Sequence, residues 1–129
     1  MDKYSPDSVH KRVDYVQHIY SNYPENFENF TLPIAAYDRG GVIAGANRIF
    51  RSLTGSPGNL YGCLDDPALA DAARAAFDGG EHVYRGAGRL LRTSAGKAAQ
   101  YQLGQYPNAI FFPMAQGLAG ILLDENKPD

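Results

Sequence analysis

The feature of the sequence that most constrains its fold is residues 37–55, which read YDRGGVIAGANRIFRSLTG. Gly40 and Gly41 separate two apolar runs, and such a pair favours a tight hairpin because primed turns require positive φ. Asn47 stands where a helix N-cap is expected, and Gly55 where a C-terminal glycine is typical. The stretch therefore predicts a strand, a turn, a second strand and a short helix.

Length and charge indicate a single ordinary domain. The chain has 129 residues, of which 44% are hydrophobic and 20% charged, and its net charge is −2. These values are typical of a globular domain and give no reason to expect direct nucleic-acid binding. A local basic stretch, formed by Arg85, Arg89, Arg92 and Lys97, is interpreted as a solvated strand face.

Cysteine usage and hydropathy predict a cytoplasmic protein without membrane contact. Cys63 is the only cysteine, so neither an intrachain disulfide nor a cysteine-rich metal site can form. The polar start, MDKYSPDSVHKRV, does not resemble a signal peptide. The apolar run from Leu118 to Leu123 is far shorter than the roughly 20 residues needed to span a bilayer.

An amphipathic helix is predicted at the N-terminus. Ser5 can cap it, Pro6 suits its first position, and it should end near Pro24. Its apolar residues recur at helical spacing and form one stripe: Val9, Val13, Val16, Tyr20 and Tyr23. The stripe either folds back on its own domain or pairs with the same helix of a second chain, and the second alternative predicts a homodimer. Residues 1–27 are accordingly assigned to this flanking helix and residues 28–129 to the main domain.

The second half of the chain predicts one more helix followed by strands. Asp66-Pro67 is typical of a helix start, and Asp78-Gly79 of an end. A third strand is expected over residues 81–93. Residues 99–103 alternate in polarity and predict a fourth, half-buried strand. A turn at either Pro107-Asn108 or Gln116-Gly117 should precede the last strand. The predicted class is α+β, with one antiparallel sheet and helices on one face.

In its order of motifs, the chain resembles the PAS domain family. The matching pieces, which lie within residues 30–125, are Asp38, Gly40-Gly41, Val42-Ile43, Asn47, Thr54-Gly55 and the final GLAGILLDE. The resemblance implies a five-stranded antiparallel sheet in the order 2-1-5-4-3, with helices on one face and the N-terminal helix flanking it. It also implies a sensor of signal transduction or transcription regulation, attached to or acting on an output domain such as a two-component kinase or a DNA-binding regulator. Residues 97–114 are longer than the family's fourth strand, so an extra turn or bulge is expected.

Small residues in the predicted strands, ringed by aromatic ones, suggest an interior cavity for a flat or apolar organic ligand. The candidate lining residues are Ala36, Phe50, Tyr61, Phe77, Tyr84, Tyr101 and Phe112. The alternative is that the small residues only let the alanine-rich helix, residues 68–76, pack close to the sheet.

Specific cofactors are disfavoured by the residues. Cys63 follows Gly62 directly, too early for the reactive cysteine of flavin-binding relatives, and a lone cysteine is more often a small buried hydrophobe. His82 is the candidate nearest to a haem-ligand position, but a single histidine at a strand edge is usually structural. The three histidines are too dispersed for zinc. The cofactor is therefore left unknown, and no metal site is assigned.

No catalytic residue is assigned either. Asp38, His82 and the tyrosines are the only candidates beside the predicted cavity, and neither a nucleophile elbow nor a phosphate loop is present in the sequence. The expected function is a non-catalytic PAS-like sensor that binds a small organic ligand and dimerises. A ligand-free protein-interaction domain and a small cavity enzyme are the alternatives.

Overall fold

The computed structural model describes residues 31–79, 82–85 and 91–124. The predicted N-terminal helix lies outside these residues, and so does its stripe. The boundary placed between residues 27 and 28 also falls outside them. The described residues form the strands β1 (Ile34–Tyr37), β2 (Ile43–Ala46), β3 (His82–Arg85), β4 (Asn108–Pro113) and β5 (Ala119–Asp124) and the α-helices α1 (Arg48–Thr54), α2 (Pro67–Ala75) and α3 (Lys97–Leu103), together with short 3-10 turns.

The five strands form one antiparallel sheet in the order β2-β1-β5-β4-β3. This confirms the expected order, in which the last strand lies at the centre between the first and the fourth. Ile121 of β5 pairs with Ala35 on one side and Phe111 on the other. The two ends of the described chain therefore meet in the middle of the sheet.

One face of the sheet, called here the inner face, carries the helices. Its strand residues belong to the same buried cluster as residues from α1, α2 and α3, which confirms that the helices pack on this side. The large buried members of this cluster are Tyr37, Phe50, Leu53, Leu60, Leu69, Leu91, Leu103, Phe111, Ile121 and Leu123. The opposite face, called here the outer face, carries the alternate strand residues Ile34, Ala36, Ile110, Phe112 and Leu122, which are also buried.

The first hairpin forms as predicted, but its turn differs from the expected one. Gly41 donates to the carbonyl of Asp38 at 2.9 Å, and Asp38 donates to the carbonyl of Val42 at 3.0 Å. Only Gly41 has a positive φ, of 86°, and the register shifts between Ala36 and Tyr37. The expectation of a primed Gly-Gly turn was therefore wrong, because the loop has three residues and needs only one left-handed position.

The helix ends follow the sequence closely. The Asn47 side chain accepts from the backbone N–H of Phe50, and Gly55 ends α1 with a φ of 78°. Asp66 caps α2 by accepting from the N–H of Ala68, with Pro67 in the first turn. Gly79 follows the short 3-10 turn that ends at Asp78, with a φ of 105°. These caps confirm the predicted boundaries of α1 and the predicted start of α2, whereas α2 itself ends at Ala75 and a 3-10 turn continues to the end predicted at Asp78-Gly79.

Residues 97–103 are helical, so the fourth strand predicted there was wrong. In α3, Ala99 and Leu103 lie four residues apart on the buried side, and Tyr101 is 71% exposed. The segment consists of lysine, alanine, glutamine, tyrosine and leucine, most of which favour helices, and an alternation over so few residues fits either period. This helix accounts for the extra length expected between residues 97 and 114.

The other strand predictions are resolved in part. Gln116 and Gly117, both with positive φ, reverse the chain between β4 and β5, so the second of the two alternative turns is the correct one. The described part of the third strand is His82–Arg85, and Leu91 forms an isolated bridge with Leu64.

Among the helices of the described ranges, none is long and apolar enough to cross a bilayer.

Candidate functional site

Tyr37 lies at the centre of the region in which an interior ligand was expected. Its side chain is fully buried, and its hydroxyl donates to the carbonyl of Ala73 in α2 at 2.6 Å. Its ring packs edge-to-face with Phe77 at 5.5 Å and Tyr61 at 6.1 Å between centroids. Burial raises the pKa of the Tyr37 phenol, so it remains a protonated donor. This part of the interior is therefore filled by a fixed side chain of the protein.

Two arginines cover the outer sides of this aromatic group. The guanidinium of Arg74 lies 4.7 Å from the ring centroid of Tyr61, and that of Arg39 lies 5.1 Å from the centroid of Phe77. The Tyr61 hydroxyl also donates to the carbonyl of Arg39 at 3.1 Å. Cation–π contacts of this kind favour the observed ring positions. Tyr61 and Phe77 therefore lie between the core and the surface.

Tyr84 forms a hydrogen-bonded pair with the cap of α2. Its hydroxyl donates to Asp66 Oδ2 at 2.8 Å. This bond, with a second from the N–H of Ala68, holds the pKa of Asp66 below its usual value, while the carboxylate raises the pKa of the Tyr84 phenol. The pKa values of both groups are displaced away from neutral pH. An acid or base catalyst is most effective with a pKa near the working pH. The pair therefore fixes β3 to α2.

A pocket of about 260 Å³ lies between β2, α1 and the loop that follows α1. It is called here the β2–α1 pocket, and its lining residues are Ile43, Gly45, Ala46, Phe50, Arg51, Ser56 and Pro57. The wall is mainly apolar. Arg51 donates to the carbonyl of Ala46, which holds its guanidinium beside the strand. Phe50, which is 1% exposed, belongs to both the pocket wall and the core.

The predicted cavity residues are distributed over several places. Phe50 lines the β2–α1 pocket, and Tyr61, Phe77 and Tyr84 pack against the inner-face core. Ala36 and Phe112 are buried on the outer face, so they do not share a cavity with the others. Tyr101 is exposed on α3, so its placement in the cavity was wrong and followed from the mistaken strand.

Most of the pocket residues were missed by sequence reasoning. Gly45 and Ala46 of β2 carried a signal, since they are among the small strand residues that suggested a cavity. Ser56 and Pro57 carried none, because they come from a loop whose path is set by tertiary contacts. One such contact joins the N–H of Ile43 to the carbonyl of Gly58 at 3.1 Å.

Cys63 and His82 have local structural partners. Cys63 is buried, its Sγ lies 3.7 Å from the carbonyl of Asn59, and burial raises the pKa of its thiol, which disfavours the reactive thiolate. His82 Nε2 lies 3.3 Å from the carbonyl of Gly79. Within the described ranges, no group of three or more histidine, cysteine, aspartate or glutamate residues is placed to hold a metal ion.

Solved structures with the same architecture include domains of two sensor histidine kinases. One is a domain of the sensory box sensor histidine kinase/response regulator from Geobacter sulfurreducens, with 18% identity, a TM-score of 0.55, and coverage of 83% of this chain and 96% of that one. Another is the photoactive yellow protein domain of the sensor histidine kinase Ppr from Rhodospirillum centenum, with 13% identity, a TM-score of 0.52, and coverage of 81% and 95%. No protein-family model matches the sequence, and no curated protein matches it either. At these identities the likeness establishes the architecture, which agrees with the sheet order and the capped helices described above: the chain has a PAS-like fold.

Proposed function

We propose that this chain is a non-catalytic PAS-like sensory module of signal transduction that binds a small apolar organic molecule in the β2–α1 pocket. The observation that carries the proposal is the position of Phe50, which forms part of the pocket wall and of the buried core. A molecule in the pocket would contact the core directly. Its presence would therefore alter the packing of α1 on the sheet.

The size and lining of the pocket define the class of ligand. Its volume of about 260 Å³ lies just below the usual range of small-molecule sites, so it suits a molecule of no more than one or two rings. Ile43, Phe50 and Pro57 supply apolar contacts, and Ser56 supplies a hydroxyl that can orient one polar atom. This chemistry favours a flat apolar compound over a metal ion or a nucleotide phosphate.

The absence of catalysis is proposed from the state of the titratable groups. The Tyr84–Asp66 pair has pKa values displaced away from neutrality, and Tyr37 is buried with its hydroxyl bonded to a backbone carbonyl. These groups suit fixed hydrogen bonds, because proton transfer requires a group that changes its charge near the working pH. They support the sensor over the cavity enzyme.

The biological setting is proposed from the fold and the names of the similar structures. Both come from sensor histidine kinases, which supports an output domain, attached or separate, of the kinase or DNA-binding kind. We place the protein in the cytoplasm, in a two-component or transcriptional pathway. A homodimer stays a prediction, whose interface the described residues do not assign.

A ligand-free interaction domain is the second candidate. The observation that favours it is Tyr37, since the edge-to-face rings and the bond to Ala73 fill the space between α2 and the sheet. In that case the β2–α1 pocket would accept a side chain of a partner protein. The two candidates differ in whether a free small molecule binds.

Titration with indole, followed by amide NMR spectra of the isotope-labelled protein, tests the proposal. Indole should shift the resonances of β2, α1 and residues 56–57 in a saturable way. Ala46→Leu, which places a larger side chain at the pocket wall, should abolish the shifts. Ala44→Leu, on an exposed position of the same strand, is the matched control and should retain them. Indole that shifts none of these resonances, or that binds both variants equally, would favour the interaction domain.

A further inference from the structure

The backbone of β2 forms part of the wall of the β2–α1 pocket. Gly45 and Ala46 both line the pocket, and Gly45 has no side chain to cover the neighbouring peptide groups. A glycine inside a strand often marks a place where another group approaches the backbone. β2 is also an edge strand of the sheet, with β1 as its neighbour on one side. Peptide groups on its other side are therefore placed to contact a molecule in the pocket.

The hydrogen bonds between β1 and β2 identify which peptide groups point outward. The N–H of Asn47 donates to the carbonyl of Ile34 on β1 at 3.0 Å. Along an antiparallel pair of strands, hydrogen-bonded and non-bonded residue pairs alternate. Ala46 pairs with Ala35, next to this bonded pair, so its N–H and its carbonyl point away from β1. The carbonyl accepts from the side chain of Arg51, which agrees with this direction.

The loop that follows α1 bonds the same edge of β2 but does not extend to Ala46. The N–H of Ile43 points away from β1 and donates to the carbonyl of Gly58 at 3.1 Å. The register shift leaves Ala44 without a partner residue on β1, so the next outward N–H is that of Ala46. Among the described residues, no acceptor serves the N–H of Ala46 as Gly58 serves that of Ile43. The pocket opens at this point of the edge.

We propose that the ligand of the β2–α1 pocket carries a carbonyl group that accepts a hydrogen bond from the N–H of Ala46. This inference rests on the proposed function and narrows the ligand class to small aromatic ketones and lactams. A hydrocarbon of the same shape would displace water from the N–H without replacing its hydrogen bond, which is unfavourable for a covered donor. Ser56 is exposed, so water competes for its hydroxyl and the hydroxyl discriminates less between ligands.

The bond to Ala46 would also orient the ligand. The N–H is held in place by the pairing of β2 with β1, so the carbonyl has to lie at the edge of the strand. The rings then occupy the apolar part of the pocket, which is formed by Ile43, Phe50 and Pro57. A fixed backbone donor thus selects one polar atom, and the side chains select the flat apolar remainder.

Indan-1-one and indane provide the test, because they have the same two rings and differ by one carbonyl. Their dissociation constants for the full chain are measured by NMR titration of the wild type, Ala46→Pro and Ala46→Gly. Proline removes the N–H and is tolerated on an edge strand where that N–H points outward, whereas glycine retains it. The preference for indan-1-one over indane should fall by about tenfold in Ala46→Pro and should be retained in Ala46→Gly.

The outcomes separate this inference from the proposed function. An unchanged preference in Ala46→Pro would assign the carbonyl to another donor of the wall and overturn the inference, while the proposed function would stand. Binding of indole to the wild type, with no binding of either indane compound, would also overturn the inference alone. Binding of none of the three compounds would overturn both.

Amide hydrogen exchange gives a readout that needs no variant. Saturating indan-1-one should slow exchange of the Ala46 amide by about tenfold relative to saturating indane, because a bonded N–H exchanges only when its bond opens. The amide of Ile43, already bonded to Gly58, is the internal control and should exchange at similar rates in the two complexes. Equal exchange at Ala46 in both complexes would contradict the proposal. If Ala46→Pro does not fold, or binds neither compound, this measurement decides.

Discussion

At the scale of single residues, the loop between β1 and β2 shows how one glycine determines a turn. Asp38 Oδ1 accepts from the N–H groups of Gly40 at 3.0 Å and Val42 at 2.9 Å, which closes the loop around its carboxylate. Gly41 has the left-handed backbone, and a Cβ there would lie 2.6 Å from Asn59 Oδ1 and from a ring atom of Tyr61. The position therefore excludes a side chain for both conformational and steric reasons.

The two adjacent glycines should respond differently to the same substitution. Gly41→Ala should lower the free energy of unfolding by about 1–3 kcal/mol, because it combines an unfavourable φ with the clash. In Gly40→Ala, the nearest atom to the new Cβ would be 3.5 Å away, and the change should stay within about 1 kcal/mol. Urea denaturation of both variants measures the difference. Equal destabilisation would show that the clash with residues 59 and 61 is unimportant.

Tyr37 illustrates what residue-level reasoning cannot supply. Its place before Asp38 in a strand is clear from the sequence, but its hydroxyl is bonded to Ala73, which is 36 positions away. Nothing local to either residue indicates that bond. The two residues come into contact only when α2 packs over the inner face.

At the scale of elements, the start of α2 combines a local cap with a long-range bond. Asp66 accepts from the N–H of Ala68 at 2.8 Å, as its position before Pro67 predicts. The same carboxylate accepts from Tyr84 on β3. Both bonds favour the ionised form, so they lower the pKa of Asp66 from its ordinary value of 3.8.

This lowered pKa predicts a defined loss of stability in acid. The contribution of Asp66 is fully present above pH 3.8 and is lost as the pH falls through the pKa of the folded state. Asp66→Asn, which retains a capping oxygen but has no charge to lose, should show a smaller decrease in stability between pH 7 and pH 3 than the wild type. Urea denaturation at the two pH values provides the measurement.

A second pair of variants locates the source of this effect. Tyr84→Phe removes the bond to Asp66 and should reproduce part of the change, whereas Tyr101→Phe, on an exposed residue, serves as the control. An identical acid response in Asp66→Asn and the wild type would show that the cap does not contribute to the pH dependence.

Helix α3 provides a direct test of helix against strand. In a half-buried strand, Tyr101 and Leu103 would share a face, but in α3 Leu103 is buried and Tyr101 is 71% exposed. Leu103→Ala should therefore lower the free energy of unfolding by about 2–5 kcal/mol. Tyr101→Ala should change it by no more than about 0.5 kcal/mol. Similar large losses in both variants would instead fit the strand.

At the scale of the whole molecule, the order of the strands was predictable. Which residues lie on each face of the sheet was predictable only in part. The capped helix after Asn47 and the aliphatic last strand led to the correct sheet order through their resemblance to a known family. Which aromatic residues meet was not predictable. Phe111 and Phe112 are adjacent in sequence, yet they lie on opposite faces, because successive strand residues point in opposite directions.

The candidate site likewise combines a residue that was predictable from the sequence with residues that only tertiary contacts bring into place. Phe50 was identified as one of the aromatic residues around the predicted cavity, but the β2–α1 pocket also needs Ser56 and Pro57. Their loop reaches the edge of β2 through backbone bonds such as those from Ile43 to Gly58 and from Leu60 to Gly41. Sequence patterns do not encode such contacts, since they join backbone groups that every residue possesses.

By itself, the sequence determined where α1 begins and ends and where α2 begins, because caps, prolines and glycines act on their immediate neighbours. It also determined that the sheet is antiparallel with helices on one side. The tertiary structure alone decided that residues 97–103 are helical, that Tyr37 fills the space beneath α2, and that Ala36 and Phe112 lie away from the core cluster. Each of these outcomes depends on contacts between segments distant in the chain, and burial against those segments outweighs the small local preferences of a short run of residues.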